Sequence, residues 1–379
     1  MGRAAELAQL HGLFELALQG ERQVVFVTGE AGIGKTALIH QFLAQIGGDD
    51  GRRWSARGQC VEHHGAGEPY LPLLDALGRL CRSVDGAPVI ELLRQQAPTW
   101  LMHMPALVSA EDLTILRHRS AGITPAHMLR DLAEALEVLT RDRVLVLVLE
   151  DLLWSDAATV EWLGAVARRP EPAKLLLIGT YRPVEVIVRG HPLRRLKQAL
   201  QVHGLCEELS LRYLTQDAIA AYLAQQFRFE TQDAMLCQDL ARLVYQRTEG
   251  NPLFMVNVVK DWVRQEVLVE VAGQWTLRGR LDEVARSVPD NLRQLIDQQF
   301  EELDAEAQTL LETASVAGVR REQFIRARGT DVGPNGTTVS RFEFRHALYQ
   351  EVLSQRVPVS RRMRLHQRME EQLAPEYGS

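Results

Sequence analysis

Residues 24 to 43 leave this chain few folds to choose from. The β-rich run Val24-Val-Phe-Val-Thr28 is followed by Gly29-Glu30-Ala31-Gly32-Ile33-Gly34-Lys35-Thr36 and then by an amphipathic stretch beginning Ala37-Leu-Ile-His-Gln-Phe-Leu. A G-x4-G-K-T run set between a strand and a helix is a phosphate-binding loop in the context it needs. Its glycines let successive backbone N–H groups turn inward on phosphate oxygens, and the helix N-terminus adds the positive end of its dipole. Lys35 reaches the β/γ-phosphates and Thr36 can ligate Mg²⁺. Binding of ATP or GTP follows. The plainer alternative is a glycine-rich turn with an exposed lysine.

The rest of the chain supports an α/β fold around that loop. Apolar stretches rich in leucine or β-branched residues recur at 24–28, 54–61, 144–149, 174–180 and 205–211, with helices or loops between them. Five strands alternating with helices predict a mostly parallel sheet covered on both faces. Val144-Leu-Val-Leu-Val-Leu149 has no polar alternation and reads as a central strand, expected beside the P-loop strand. The proline-punctuated stretch 62–125, with helical patterns such as Leu71 to Val84, reads as an irregular helical insertion on the sheet. After residue 212, helical periodicity covers 215–227, 233–248 and 253–266. Residues 267–271 and 275–277 read as a hairpin, 289–300 and 304–314 as helices, 318–340 as a turn or loop, and 360–373 as a last helix with Ser360 at its N-cap.

At 379 residues the chain exceeds one ordinary domain. Its formal charge of −6 argues against a generally nucleic-acid-binding surface and leaves room for a local basic patch. Cys60, Cys81, Cys206 and Cys237 are scattered, without metal-ligand spacing, and read as reduced core thiols. No apolar run reaches the roughly 18 to 20 residues of a membrane span, so the expected compartment is the cytoplasm and no membrane partner is expected.

A phosphate-binding loop holds phosphate; hydrolysis also needs a cation organiser and a group that orients water. The strand 144–149 ends in Glu150-Asp151, the place for a Walker B pair, with Glu150 on the metal and Asp151 as the base. Helix capping or simple solvation is the alternative for these acids. The next strand ends in Thr180-Tyr-Arg182, where Arg182 can sense a γ-phosphate or else pair with nearby acids. Pro252, in Gly250-Asn-Pro252-Leu-Phe254, opens a helix whose first turn could face the nucleotide, or is simply a helix start.

Together these residues resemble the STAND class of P-loop ATPases within the AAA+ superfamily, and most closely the AAA_16 or Orc1-like module of large LuxR-type, MalT-like regulators and cyclase- or kinase-linked signalling proteins. The resemblance also rests on Gly2-Arg3-Ala-Ala-Glu6-Leu7, Gly67-Glu-Pro-Tyr70-Leu-Pro72, Leu149-Glu-Asp-Leu-Leu-Trp154-Ser-Asp156, Phe342-Glu-Phe-Arg-His346 and Arg361-Arg-Met-Arg-Leu-His366. It implies a five-stranded parallel P-loop (ASCE/AAA+) sheet flanked by helices over 1–211, a small helical lid domain with a β-hairpin over 212–288, and a shortened winged-helix-like region over 289–379. It implies that Gly29 to Thr36 and Arg3 bind ATP or ADP, with Arg3 near the base. Thr36 and Glu150 would hold Mg²⁺, Glu150, Asp151 and Arg182 would act in turnover, and Pro252 would sense nucleotide. Trp154 and Asp156 read as structural, a packed indole and a helix cap. Leu153 departs from the family, which has His there.

The function this implies is a signalling switch that binds ATP with slow Mg²⁺-dependent hydrolysis. It would regulate transcription or signal transduction through self-association or through separate effector and sensor proteins, or through domains of a longer chain. The alternatives are an Orc-like DNA-associated ATPase, for which Arg356, Arg361, Arg362, Arg364 and Arg368 are the candidate contacts, and a truncated paralogue without function. The net acidity argues against DNA as a partner of this chain alone.

Overall fold

The computed structural model describes residues 2–47, 53–62, 68–119, 124–227, 234–271, 274–278, 290–301, 303, 305–317, 325–332, 338–344, 347–358, 361–363 and 365. The chain divides into two compact units, Arg3–Arg212 and Tyr213–Ser379, the second taking in Met1–Gly2.

In the first unit β1 (Gln23–Thr28), β2 (Arg53–Gln59), β3 (Val144–Glu150), β4 (Leu175–Tyr181) and β5 (Glu207–Ser210) form one parallel sheet in the order β2-β3-β4-β1-β5. Every residue of β3 and β4 is buried, which explains their unbroken apolar sequences: a parallel strand with helices on both faces has no solvent side. β5 has water on one side and is polar at Glu207 and Ser210.

The strand order corrects one expectation. β3 is not the neighbour of the P-loop strand β1; β4 runs between them, pairing with β1 from Gln23↔Leu176 to Thr28↔Tyr181 and with β3 from Leu145↔Leu175 to Leu149↔Gly179. An apolar run reports burial on both faces, and β3 and β4 share that property equally. Which of them lies against β1 is decided by the crossover connections.

Helices cover this sheet for reasons visible in their spacing. α1 (Ala4–Leu18) buries Leu7, Leu10, Leu13 and Ala17, and α2 (Lys35–Gln45) buries Leu38, Ile39 and Phe42. The proline-rich stretch forms α3 (Leu71–Cys81), α4 (Ala87–Gln96), α5 (Pro98–Met102) and α6 (Ala110–Arg119), followed by α7 (Pro125–Leu139). One core joins Phe26, Leu147 and Leu177 of the sheet to Leu73 and Leu77 of α3, Leu132 and Leu136 of α7, and Trp162 of α8 (Ala157–Ala167). Each such fully buried side chain contributes about 1.5–3 kcal/mol. Trp100 is buried with them, and its indole N–H donates to the Met128 carbonyl at 2.8 Å. Gly58 lets α3 begin against β2, because a Cβ there would fall 1.8 Å from the Pro72 carbonyl oxygen. α9 (Pro183–Val188) and α10 (Leu193–Val202) lead from β4 to β5.

In the second unit α11 (Gln216–Phe227), α12 (Ala234–Thr248) and α13 (Pro252–Arg264) close on Leu223, Leu240, Val244, Phe254, Val258 and Trp262. β6 (Leu268–Val271) and β7 (Gln274–Leu277) form the antiparallel hairpin, and α14 (Asp290–Glu301) and α15 (Ala305–Ala317) follow. The stretch expected to be a loop, 318–340, contains strand. β8 (Ile325–Val332) pairs antiparallel with β9 (Thr338–Phe344), before α16 (Ala347–Arg356). The sequence of β8, Ile-Arg-Ala-Arg-Gly-Thr-Asp-Val, offers little apolar pattern, so hydrophobic periodicity gives no sign of this ladder. Of the last helix, residues 361–363 and 365 are helical, while Ser360 and 366–373 lie outside the described residues. No described helix is long and apolar enough to cross a membrane.

Candidate functional site

The strand register brings the C-terminal tips of the sheet level with one another. Gln59 lies opposite Glu150, and Thr28 opposite both Tyr181 and Ser210. Ligands of open α/β sheets bind off these ends of the strands, where Glu150, Asp151 and Arg182 stand at the ends of β3 and β4.

The loop leaves β1 at Gly29, whose φ of +149° and lack of a Cβ are both needed: a Cβ would meet the Ile33 side chain at 2.9 Å and the Leu211 carbonyl oxygen at 3.3 Å. Gly34, at φ +95°, is the N-cap of α2, so Lys35 and Thr36 stand on the first helical turn. Ile33 is buried and pins the loop from below. The Lys35 ammonium curls back over the loop and donates to the carbonyl oxygens of Gly29 at 2.8 Å and Glu30 at 3.1 Å. Burial, with repulsion from Arg182 next, pushes its pKa down to about 8, against attraction from Asp151, Glu185 and Glu30. Phosphate oxygens are the partners such a partly dehydrated ammonium lacks.

Thr36 and Glu150 converge. The Thr36 hydroxyl donates to Glu150 Oε2 at 2.8 Å, although the two are separated by 114 residues in sequence. The other oxygen, Oε1, accepts from Nε of Arg57, whose Nη1 also contacts His40 Nε2. Asp151 departs from the strand in the left-handed region, φ +55°, a conformation aspartate tolerates better than most residues. Its N–H donates to Thr180 Oγ1 at 2.9 Å and its carboxylate accepts from Gln59 Nε2 at 3.0 Å. Arg182 follows β4, ion-paired with Glu185 at 2.8 Å, the alternative partner open to it from sequence.

Arg3 does reach the loop. Its guanidinium is buried and donates to the Ile33 carbonyl oxygen and to Glu6, both at 2.9 Å. Ala31 and Gly32 complete the loop's turn, with Gly32 at φ +72°. Pro252 belongs to the other unit, where it is the first residue of α13 and the side chain of Asn251 caps the helix. Asp156 caps α8 through the Thr159 N–H at 2.9 Å, and the Arg189 guanidinium lies 4.0 Å over the Trp154 ring. Tyr70 packs on Trp100. Gly67, His346, Arg364 and Arg368 lie outside the residues whose side chains are described.

Sequence reasoning passed over Arg57 and Gln59. The available signal was their spacing: two residues apart on β2, they face the same way, and a polar pair at the end of a strand beside the Glu150-Asp151 strand has those acids as its natural partners.

Thr36 and Glu150 present hard oxygen donors side by side next to an ammonium, the ligand type a small divalent cation accompanying phosphate takes. The residues therefore fit a Mg²⁺-nucleotide.

Comparison with known proteins agrees with this geometry. Residues 1–178 match AAA_16, the AAA ATPase domain. An uncharacterized protein of Rhizobium meliloti (strain 1021) is 25% identical over an alignment that takes in 97% of this chain and 36% of that protein, so the chain spans little more than a third of the relative's length. Among solved structures the chain is similar to the Walker-type ATPase PABY2304 of Pyrococcus abyssi, with a TM-score of 0.53 and 13% identity over 93% of this chain and 95% of that one. At that identity the likeness is one of fold. The first unit has a P-loop ATPase fold, with a helical region C-terminal to it.

Proposed function

We propose that the chain is a nucleotide-dependent switch of the STAND type, which binds ATP and ADP with Mg²⁺, hydrolyses ATP slowly and passes its state to partner proteins or to domains of a longer chain. The observation that supports this most is the convergence of Thr36 and Glu150 at 2.8 Å beside the buried Lys35. Bound Mg²⁺ would neutralise charge on the phosphate oxygens. The chain's own residues do the rest: the loop N–H groups and Lys35 hold phosphate, and Thr36 and Glu150 orient the cation. Asp151, fixed by Gln59 and Thr180, accepts a hydrogen bond from water, and Arg182 exchanges Glu185 for the terminal phosphate. We assign Arg3 to holding the loop and Pro252 to the second unit's response.

Against the DNA-associated alternative stand the partners of the described basic residues. Arg356 pairs with Asp297 at 2.6 Å, Arg361 with Glu312 at 2.8 Å, and Arg362 donates to the Ser354 and Val357 carbonyls. Calorimetric titration of ATP and ADP with Mg²⁺ tests the proposal. Lys35→Ala should weaken binding about 100-fold or more, as loss of a charge-assisted contact to phosphate does. A folded wild-type chain that binds neither nucleotide would end this reading.

A further inference from the structure

Glu150 is the most deeply buried acid of the site, its side chain 3% exposed. A carboxylate so placed requires a counter-charge, since its dehydration is otherwise severe. Lys35 does not fill that need, since the bonds its ammonium makes go to the Gly29 and Glu30 carbonyls and not to Glu150. Arg57 does. It rises from β2 two residues short of the strand's end, and its guanidinium spans Glu150 on one side and His40 of α2 on the other.

We infer that Arg57 is a built-in occupant of the cation place at Glu150, one that makes divalent-cation binding conditional on nucleotide. This rests on the reading of Glu150 as the cation's acid. Oε1 is held by Arg57 and Oε2 by the Thr36 hydroxyl, so a divalent ion arriving alone must break a charge-assisted bond and finds few ligands in return. An ion arriving with phosphates brings further oxygen ligands with it and draws on the Thr36 hydroxyl as well. The guanidinium then gives up the carboxylate and keeps its contact to His40. Arg57 thus keeps Glu150 neutralised when no nucleotide is present, and the same bond sets how strongly nucleotide and cation help each other to bind. Such coupling is reciprocal. Arg57 acts through Glu150 and is a positioning residue.

Mn²⁺ binding measured by electron paramagnetic resonance on the whole chain, without nucleotide and with saturating ADP, reads this directly. Arg57→Gln should bind Mn²⁺ alone about ten-fold more tightly than wild type or better, the order expected when a charge-assisted competitor is removed. The enhancement of Mn²⁺ affinity by ADP should shrink by the same factor. In Arg57→Gln/Glu150→Gln the tightening should vanish. Where Arg57→Gln does not fold by circular dichroism, Arg57→Lys, which keeps a cation and loses the planar fork, should show the same change at about three-fold. Unchanged or weaker Mn²⁺ binding in the folded variant, or tightening that survives loss of Glu150, overturns the inference. A wild-type chain that bound no ATP or ADP would remove the switch reading, whereas the Mn²⁺ titration without nucleotide would still report whether Arg57 and a cation contend for Glu150.

Discussion

The polar groups at the strand tips of the first unit and the buried polar groups of the second find their partners in different ways. At the strand tips of the first unit Glu150 is bound by Thr36 and Arg57, 114 and 93 residues away, and Asp151 by Gln59, 92 residues away. In the second unit the buried polar side chains among the described residues are satisfied within four residues: Thr248 by the Val244 carbonyl, Asn251 by the N–H groups of Leu253 and Phe254, Asp261 by Arg264 and Gln265, and Ser315 by the Glu312 carbonyl. Local pairs cap and lock helices. Pairs drawn from distant strands cost more loop entropy to assemble, and at the tips they hold oxygens and cations in positions that no helix needs. Distance along the chain does not by itself signify a site. Arg22, which donates to Glu137 and to the carbonyls of Arg169 and Glu171, is a long-range clasp that ties segments of the fold together. What sets the tip cluster apart is that it adjoins a loop shaped for phosphate.

The contrast predicts that substitutions at the tips change chemistry with little effect on folding, and that those at the caps do the reverse. The largest effect should come from Glu150→Gln and Asp151→Asn, each of which should lower steady-state ATP turnover by about 100-fold or more while nucleotide still binds, the range for removing a positioned general base or cation ligand. Turnover kept by both variants would place the catalytic acids elsewhere. The next effect concerns pH. Lys35 has a pKa near 8 in the nucleotide-free protein, and phosphate set against the ammonium raises it. Binding therefore takes up a proton between the two values, and affinity declines as pH rises through 8. Between pH 7 and 9 the loss should approach ten-fold, checked by calorimetry in buffers of different ionisation enthalpy. A flat profile would mean that the ammonium is fully protonated at pH 9 without nucleotide. The smallest effect belongs to the caps. Asp156→Ala in the first unit and Asn251→Ala in the second should each lower stability by about 1 kcal/mol in urea unfolding. Asp156→Ala should leave ATP turnover within about two-fold, since a cap contributes to stability and not to the reacting groups.

Much of this was legible in the chain. The P-loop was readable because its glycines, lysine and threonine must occur in that order for backbone N–H groups to face a phosphate. The central strands β1, β3 and β4 were readable because strands buried on both faces must be largely apolar, whereas the edge strands β2 and β5 carry polar residues. The Glu150-Asp151 pair was readable because two acids directly after such a run have to lie at a strand tip. The β8–β9 ladder was not, since the sequence of β8 mixes polar and apolar residues without the alternation that marks a strand.

The sequence by itself determined which segments are strands around a phosphate-binding loop and which residues can carry charge at their ends, since both follow from local chemistry and burial. Only the tertiary structure decided that β4 lies between β1 and β3, that Thr36 meets Glu150 across that gap, and that Arg57 and Gln59 complete the two carboxylates. Those outcomes depend on crossover connections and on strand register, which align residues about 90 to 115 positions apart. No local pattern records them.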